Sequence, residues 1–190
     1  KDISIKNVLS GIGVEELDDG ATIPLENYDK EIVVTSDGHT VYPLFFPGGD
    51  LGILSICGTV NDLLMMGAEP IALTSNFIIE EGFEFSQLER IINSFNLKAK
   101  EANIAILAGD TKVMPRGSLN EIIISTSGIG LRSKDVKIAD SQVKNGDKII
   151  LSGSIGDHGI ALMAVREEMS FTSDLISDVS LLTDIIKRVN

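Results

Sequence analysis

The longest apolar run of the chain, residues 51–68, is interrupted near its centre by Asn61 and Asp62. A membrane span needs about 20 consecutive apolar residues, so the interrupted run does not predict one. It predicts instead a helix from Leu51 to about Met66 that stops at Gly67. A carboxylate facing a protein core is expensive to desolvate, so Asp62 in such a helix needs a partner. The alternative is that Asp62 faces solvent or caps a neighbouring element.

Short β-branched or apolar runs on both sides of this helix predict strands, and the alternation gives an α/β fold. Ser86 is the predicted cap of a second helix, in which Leu88, Ile91 and Phe95 recur at helical spacing. Residues 36–39 are predicted to break the chain between two strands. The predicted strands are residues 31–35, 41–46, 71–79 and 104–108, one within 121–131, and 148–151.

The pattern after residue 133 predicts a change of domain. Residues 133–145 are typical of a linker, and a strand, a glycine-rich turn and a helix follow. We therefore predict one domain over residues 1–145 and the beginning of a second over 146–190. A domain of this kind needs more than about 50 residues to close a core, so the second is expected to be incomplete.

Charge and cysteine content exclude several function classes. The chain of 190 residues has a net charge of −12, which disfavours binding to nucleic acid or to an anionic membrane. Hydrophobic residues make up 43%, which is too apolar for a disordered chain. The single cysteine excludes an internal disulfide and a cysteine metal cage, and it favours a reducing, cytoplasmic compartment.

Carboxylates recur at predicted strand ends and in the first helix: Asp18, Asp19, Asp37, Asp62 and Asp110. Carboxylates that converge repel one another unless a cation neutralises them, and oxygen ligands select hard ions such as Mg²⁺. Magnesium held by carboxylates commonly carries substrate phosphates.

Two further features are compatible with phosphate binding. Lys112, two residues after Asp110, could neutralise a phosphate, although by pattern alone an ordinary surface lysine is the better explanation. Gly48 and Gly49 precede the predicted N-cap Asp50, and helix N-termini attract anions, although a plain tight turn is the simpler interpretation.

The remaining nucleophilic and titratable side chains give no catalytic signal of their own. Cys57 falls on the apolar stripe of its helix and is predicted to be a buried core residue. His39 and His158 lie beside glycines in predicted turns, where a ring could line a cleft or cap the backbone.

Four motifs taken together are specific. They are PLFFPGGD at 43–50, CGTVNDL at 57–63, GDTKV at 109–113 with a following Arg-Gly, and SGSIGDHG at 152–159. In these motifs the chain resembles the HypE family of hydrogenase maturation factors, in the AIR synthase-related (PurM-like) superfamily. The resemblance extends from Asp18 to about Leu182.

The resemblance implies an α/β PurM-like N-terminal domain that forms a homodimer and binds ATP, followed by the start of an AIR synthase C-terminal-type domain. It also implies a reaction. ATP phosphorylates a carbamoyl oxygen carried on a C-terminal cysteine, and loss of phosphate leaves a thiocyanate for the CN ligands of [NiFe]-hydrogenase. HypF would supply the carbamoyl group, and HypC with HypD would receive the cyanide.

By position, the resemblance casts the five aspartates as Mg²⁺ and phosphate ligands. It casts Lys112, with Asp62 and Asp110, as catalytic, and Asn61, Gly48 and Gly49 as nucleotide contacts. His158 would lie at the domain junction, facing the cleft.

Three departures from the family pattern keep other functions open. Residues 1–17 lack the glycine-rich nucleotide stretch, Ser36 and Gly38 flank Asp37 where the family reads Thr-Thr-Asp-Ser, and no C-terminal cysteine is present. The alternatives are a non-catalytic scaffold of the same family and an ATP-dependent kinase or ligase of the superfamily that acts on another small substrate.

Overall fold

A five-stranded sheet organises the part of the chain that the computed structural model describes, residues 21–24, 28–136, 138–167 and 175–189. A two-stranded hairpin precedes the first helix. The sheet strands are β1 Ala21–Pro24, β2 Lys30–His39, β5 Glu69–Glu80, β6 Ala105–Met114 and β7 Ile122–Ser133, and the hairpin strands are β3 Phe45–Phe46 and β4 Gly49–Asp50. The helices are α1 Leu51–Met65, α2 Phe85–Glu101, α3 Asp157–Arg166 and α4 Thr183–Val189, with a 3-10 turn at Asp140–Gln142.

The sheet is mixed, with strand order β1-β2-β7-β5-β6. Among the strands of the described residues, only β5 and β6 pair in parallel, and helix α2 makes the connection between them. A parallel pair needs such a crossover, because a tight turn cannot return the chain to the same end of the sheet. The predicted α/β class is confirmed.

The two faces of the sheet differ. Helix α1 packs across β2, β5 and β7, and α2 packs against α1 and β6. We call this side the helix face, and its core is apolar: Val33, Leu51, Ile56, Val60, Leu73, Ile91, Phe95 and Ile124 are buried. The other side, the open face, carries the partly exposed residues Ile32, Val34 and Ile129, and Val34 on β2 pairs with Ile129 on β7.

Helices α1 and α2 cross in close contact at Gly52. A methyl group at this position would collide with the carbonyl oxygen of Ile91 and the hydroxyl of Ser94, and it would lie 2.9 Å from the backbone nitrogen of Phe95. The predicted N-cap is confirmed at the same crossing. The Asp50 carboxylate accepts from the Ile53 N–H at 2.9 Å and from the Ser94 hydroxyl at 2.6 Å, so it caps α1 and ties it to α2.

Helix α1 and strands β5 and β7 fall where the sequence predicts them, but other boundaries were wrong. Strand β2 continues through residues 36–39, because all four pair with β7. Strand β6 likewise continues beyond Ala108 to Met114 along β5. Polar and glycine residues indicate breaks when taken in isolation, but a neighbouring strand satisfies their backbone groups.

Three further predictions were wrong. Residues 41–46 form a strand only at Phe45–Phe46. Helix α2 begins at Phe85 after Glu84, so Ser86 lies inside its first turn. Residues 148–151 are not a strand, and Ile149 and Ile150 are 91% and 82% exposed. A strand needs a pairing partner, and none pairs with them among the described residues. The domain boundary near residue 145 stays a prediction.

The crossing at Gly52 gives a test of the fold. We expect Gly52→Ala to destabilise the chain by about 1–3 kcal/mol, because the added methyl meets backbone that cannot move away. Helical Gly159 is a matched control, since a Cβ there meets nothing within 4 Å. Gly159→Ala should cause no loss, and urea denaturation measures both. Equal stability of the two variants would contradict the close crossing.

Candidate functional site

A polar seam runs between helix α1 and the sheet, where an apolar contact would be expected. Thr35 and His39 from β2, Thr59 from α1 and Thr126 from β7 are all buried there. Every buried side-chain nitrogen and oxygen among the described residues has a hydrogen-bond partner. A satisfied network of this kind fixes side chains in position, because each unmade bond would be costly.

Asp62 lies at this seam. Helix α1 carries it against β2, and the Thr35 hydroxyl donates a hydrogen bond of 3.1 Å to its Oδ2. Asp62 therefore has the partner that the apolar helix predicts, and it is half-buried beside the neighbouring strand.

Asp37 lies two residues further along the helix face of β2 and is 39% exposed. Its Oδ1 accepts from the Gly38 N–H at 2.7 Å. Its Oδ2 would lie 3.3 Å from a Cβ at Gly58, which is one helical turn before Asp62 on α1. Thr35 and Asp37 on β2 thus face Asp62 and Gly58 on α1, so the seam carries both carboxylates.

The inner part of the seam is centred on His39. Its Nε2 lies 2.8 Å from the Thr126 hydroxyl and 3.3 Å from the Thr59 hydroxyl. Its Nδ1 lies 3.5 Å from Asp37 Oδ2. Burial lowers the pKa of His39 below its ordinary value, and the Asp37 carboxylate opposes that shift without overcoming it, so the ring is neutral at pH 7. The sequence placed His39 in a turn, and that prediction was wrong because β2 extends to it.

Asp110 and Lys112 lie on the opposite side of the sheet. Asp110 is in register with Asn76 on β5, and Asn76 pairs with Ser125 on β7. Asp37 pairs with Thr126, the next residue of β7, which lies on the helix face. Because neighbouring residues of a strand face opposite sides, Asp110 and Asp37 lie on opposite faces of the sheet. Both Asp110 and Lys112 are exposed, and Asp110 accepts from the Thr111 N–H at 2.8 Å. Within one chain, the sheet therefore separates them from Asp37 and Asp62.

Gly48, Gly49 and Asn61 contact the segment 176–182. A Cβ at Gly48, where φ is +94°, would lie 2.9 Å from the Ser177 backbone, and one at Gly49 would lie 2.8 Å from Val179. The Asn61 amide donates to the Ser180 carbonyl at 2.9 Å and accepts from the Leu182 N–H at 3.0 Å. These contacts account for all three residues by packing, and their roles toward a nucleotide stay predictions.

A cleft of about 750 Å³ lies beside the seam. Its lining includes Cys57, Gly58, Asn61, Ser154, His158 and Ser180. His158 Nδ1 lies 2.9 Å from the Ser177 hydroxyl, and the ring stacks edge-on against Phe46 at 5.2 Å between centroids. Nothing in the sequence pattern pointed to 176–182 as a cleft wall, because contacts across more than a hundred residues leave no local periodicity.

The seam fits magnesium through its oxygen donors. Among the described residues, no three His, Cys, Asp or Glu side chains gather into a ready metal cage. Mg²⁺ does not need one, since it is usually bound by one or two carboxylates together with substrate phosphates and water. Asp37 and Asp62 supply that number. Asp18 and Asp19, also predicted as ligands, lie outside the described residues.

The sequence matches the model of a known family. The N-terminal domain of AIR synthase related proteins matches residues 17–132, which include β1 to β6 and most of β7. The chain belongs to this family. In the part of this AIR synthase-related chain that is described, no helix has the length and apolar character needed to cross a bilayer.

Two curated relatives support the resemblance to HypE within the family. One is a Methanocaldococcus jannaschii protein whose name places it among hydrogenase expression/formation proteins, 51% identical over all of this chain and 55% of its own length. The other is carbamoyl dehydratase HypE of Bradyrhizobium diazoefficiens, 43% identical over 83% of this chain and 46% of its own length. The chain thus spans about half the length of these relatives.

Two solved structures share the fold. The crystal structure of a HypE–HypF complex matches with a TM-score of 0.88 at 43% identity and covers 97% of this chain and 59% of that chain. HypE in complex with ATP matches with a TM-score of 0.71 at 38% identity and covers 91% of this chain and 51% of that chain. The predicted PurM-like fold is confirmed.

Cys57 gives a pH-dependent prediction. Burial raises the pKa of its thiol from 9.0 to about 11, so the folded chain resists thiolate formation. We expect slow reaction with Ellman's reagent at pH 8 in native buffer and fast reaction in guanidinium. Because the unfolded thiol ionises first, the free energy of unfolding should fall as the pH rises from about 9 towards 11.

Cys57→Ser is the control for both measurements and should lack the reaction and this part of the pH dependence. Rapid labelling of the native chain at pH 8 would contradict an inert, buried thiol.

Proposed function

We propose that this chain is the N-terminal part of an ATP-dependent carbamoyl dehydratase of the HypE type, which makes the CN ligands of [NiFe]-hydrogenase. The observation that carries the proposal is the 43% identity to a carbamoyl dehydratase HypE across most of this chain. The solved HypE complexes with ATP and with HypF extend the inference to ATP as cofactor and to HypF as carbamoyl donor.

Asp37 and Asp62 are the proposed ligands of the magnesium that accompanies ATP. Thr35 holds the Asp62 carboxylate in place through its hydroxyl, and Asp37 is exposed enough to reach a phosphate-bound cation. Magnesium, when bound, would neutralise phosphate charge, which is the main requirement of phosphoryl transfer. Asp18 and Asp19 remain proposed as additional ligands.

In the proposed reaction, a carbamoyl oxygen on a C-terminal cysteine takes the γ-phosphoryl group of ATP. The carbon–oxygen bond then breaks, inorganic phosphate leaves, and the nitrogen loses its protons to give a thiocyanate. Phosphorylation is needed because an amide oxygen is a poor leaving group. HypC with HypD is the proposed acceptor of the cyanide, and the single buried cysteine among the 190 residues favours a reducing, cytoplasmic setting.

A homodimer would account for the second group of predicted residues. The open face bears exposed apolar side chains, and among the described residues no strand pairs with the outer edge of β6. A second copy seated on this side would cover the apolar surface and place Asp110 and Lys112 at the interface. There, Lys112 is proposed to neutralise phosphate charge, with Asp110 as a further ligand.

Substitution of the two separated aspartates tests the site. We expect Asp62→Asn and Asp110→Asn each to weaken Mg²⁺-dependent ATP binding by about 10-fold or more, since each removes a charged ligand. Calorimetry with ATP and Mg²⁺ measures the affinity. In the protein carrying a carbamoylated C-terminal cysteine, intact mass should show ATP-dependent loss of one water, slowed in both variants.

The control is Asp147→Asn, which removes the same charge at an exposed turn residue that bonds the Lys144 backbone. It should bind ATP like the unaltered chain. Unchanged affinity in both site variants would contradict the assignment of ligands, and no loss of water with ATP would contradict the proposed reaction.

The proposed dimer has its own test. Val34→Glu puts a charge on the open face, so we expect it to shift the chain from dimer to monomer in light scattering. Leu97→Glu is the matched control, because Leu97 is 68% exposed on helix α2, away from the open face. A monomer in the unaltered chain would contradict this dimer.

A further inference from the structure

The His39 imidazole lies between a candidate ligand and a pair of buried threonines. It is 5% exposed, and its two ring nitrogens face different partners. Nε2 faces the Thr59 and Thr126 hydroxyls, and Nδ1 faces the Asp37 carboxylate. The ring therefore connects helix α1 and strand β7 to the partly exposed Asp37 side chain.

Two threonine hydroxyls hold the Nε2 side of the ring in place. Thr126 lies 2.8 Å away and Thr59 3.3 Å away, and the two hydroxyls also contact each other. One threonine hydroxyl donates its hydrogen to the other threonine. The hydrogen of the second hydroxyl is then available to be donated to Nε2. We assign the ring hydrogen to Nδ1 on this basis, the nitrogen that lies 3.5 Å from the Asp37 carboxylate, a group that can only accept.

Helix α1 leaves room for the pair at Gly58. A Cβ at this position would lie 2.9 Å from His39 Cε1 and 3.3 Å from Asp37 Oδ2. Glycine inside a helix destabilises the helix relative to alanine. A buried imidazole, itself held by two buried hydroxyls, and a helical glycine thus lie beside one partly exposed carboxylate.

We propose that His39 is a positioning residue that aims the Asp37 carboxylate at magnesium bound to ATP. The inference rests on the proposed function, in which Asp37 is a magnesium ligand. A ligand carboxylate that is held in orientation by a polar neighbour binds its metal more tightly, and loss of such a neighbour typically costs about 10–100-fold in affinity. His39 Nδ1 is such a neighbour, 3.5 Å from Asp37 Oδ2.

Two conservative substitutions separate positioning from packing, because each keeps one half of the imidazole. His39→Gln can place an amide where Nε2 stands, so it keeps the threonine contact and loses the contact with Asp37. His39→Asn can place an amide near Nδ1, so it keeps the contact with Asp37 and loses the threonines. If His39 is only structural, metal affinity should fall as far as stability falls in both variants. If His39 positions Asp37, His39→Gln should lose metal affinity without losing stability, and His39→Asn should lose stability without losing metal affinity.

The experiment measures Mn²⁺, as a probe for Mg²⁺, by electron paramagnetic resonance in the presence of ATP, together with the urea midpoint of each variant. We expect His39→Gln to keep the midpoint and to bind Mn²⁺ about 10-fold more weakly. We expect His39→Asn to lower the midpoint and, while folded, to bind Mn²⁺ like the unaltered chain.

Asp37→Asn in the same assay distinguishes a failure of the positioning role of His39 from a failure of Asp37 as a proposed ligand. If Asp37→Asn weakens Mn²⁺ binding and His39→Gln does not, the positioning role is overturned and the proposed ligand stands. If affinity falls only as far as stability falls in both His39 variants, His39 is structural and the inference fails. If the unaltered chain shows no ATP-dependent Mn²⁺ binding, the proposed function fails and the positioning role fails with it.

Discussion

The contact between helix α1 and the sheet is the constraint on which the rest of this structure depends. One part of the contact is apolar, and Ile56, Val60 and Ile124 are buried in it. Along β2 the contact becomes polar. There Thr35 donates to Asp62, and His39, which bonds Thr59 and Thr126, lies 3.5 Å from Asp37. Burying these groups is tolerable only because each is satisfied, so the same packing that stabilises the fold also orients the candidate site.

The sheet imposes the second constraint, because alternate residues of a strand face opposite sides. Asp37 and Asp110 share one sheet but not one face, as their register through Thr126 and Ser125 shows. A single chain therefore brings together only Asp37 and Asp62 of the described candidate ligands. The open face with its apolar residues is the reason that we propose a second copy as the element joining the two groups.

Sequence patterns predicted best where one element decides the outcome by itself. The periodicity of residues 51–66 and the Asp50 cap were sufficient for α1, because capping and apolar spacing are local properties. Sequence patterns failed where pairing with a neighbouring strand determines the secondary structure. Residues 36–39 and 109–112 contain glycine and aspartate, which disfavour strands in isolation, yet both segments pair with adjacent strands.

The sequence by itself determined the α/β class, the family and the position of Asp62 in an apolar helix that required a partner. Only the tertiary structure decided that this partner is Thr35, that His39 is buried behind Asp37, and that Asn61 holds the backbone of residues 180–182. The physical reason is separation along the chain. Motifs and periodicity record interactions within an element, whereas these contacts join residues that meet only when the sheet and its helices have packed.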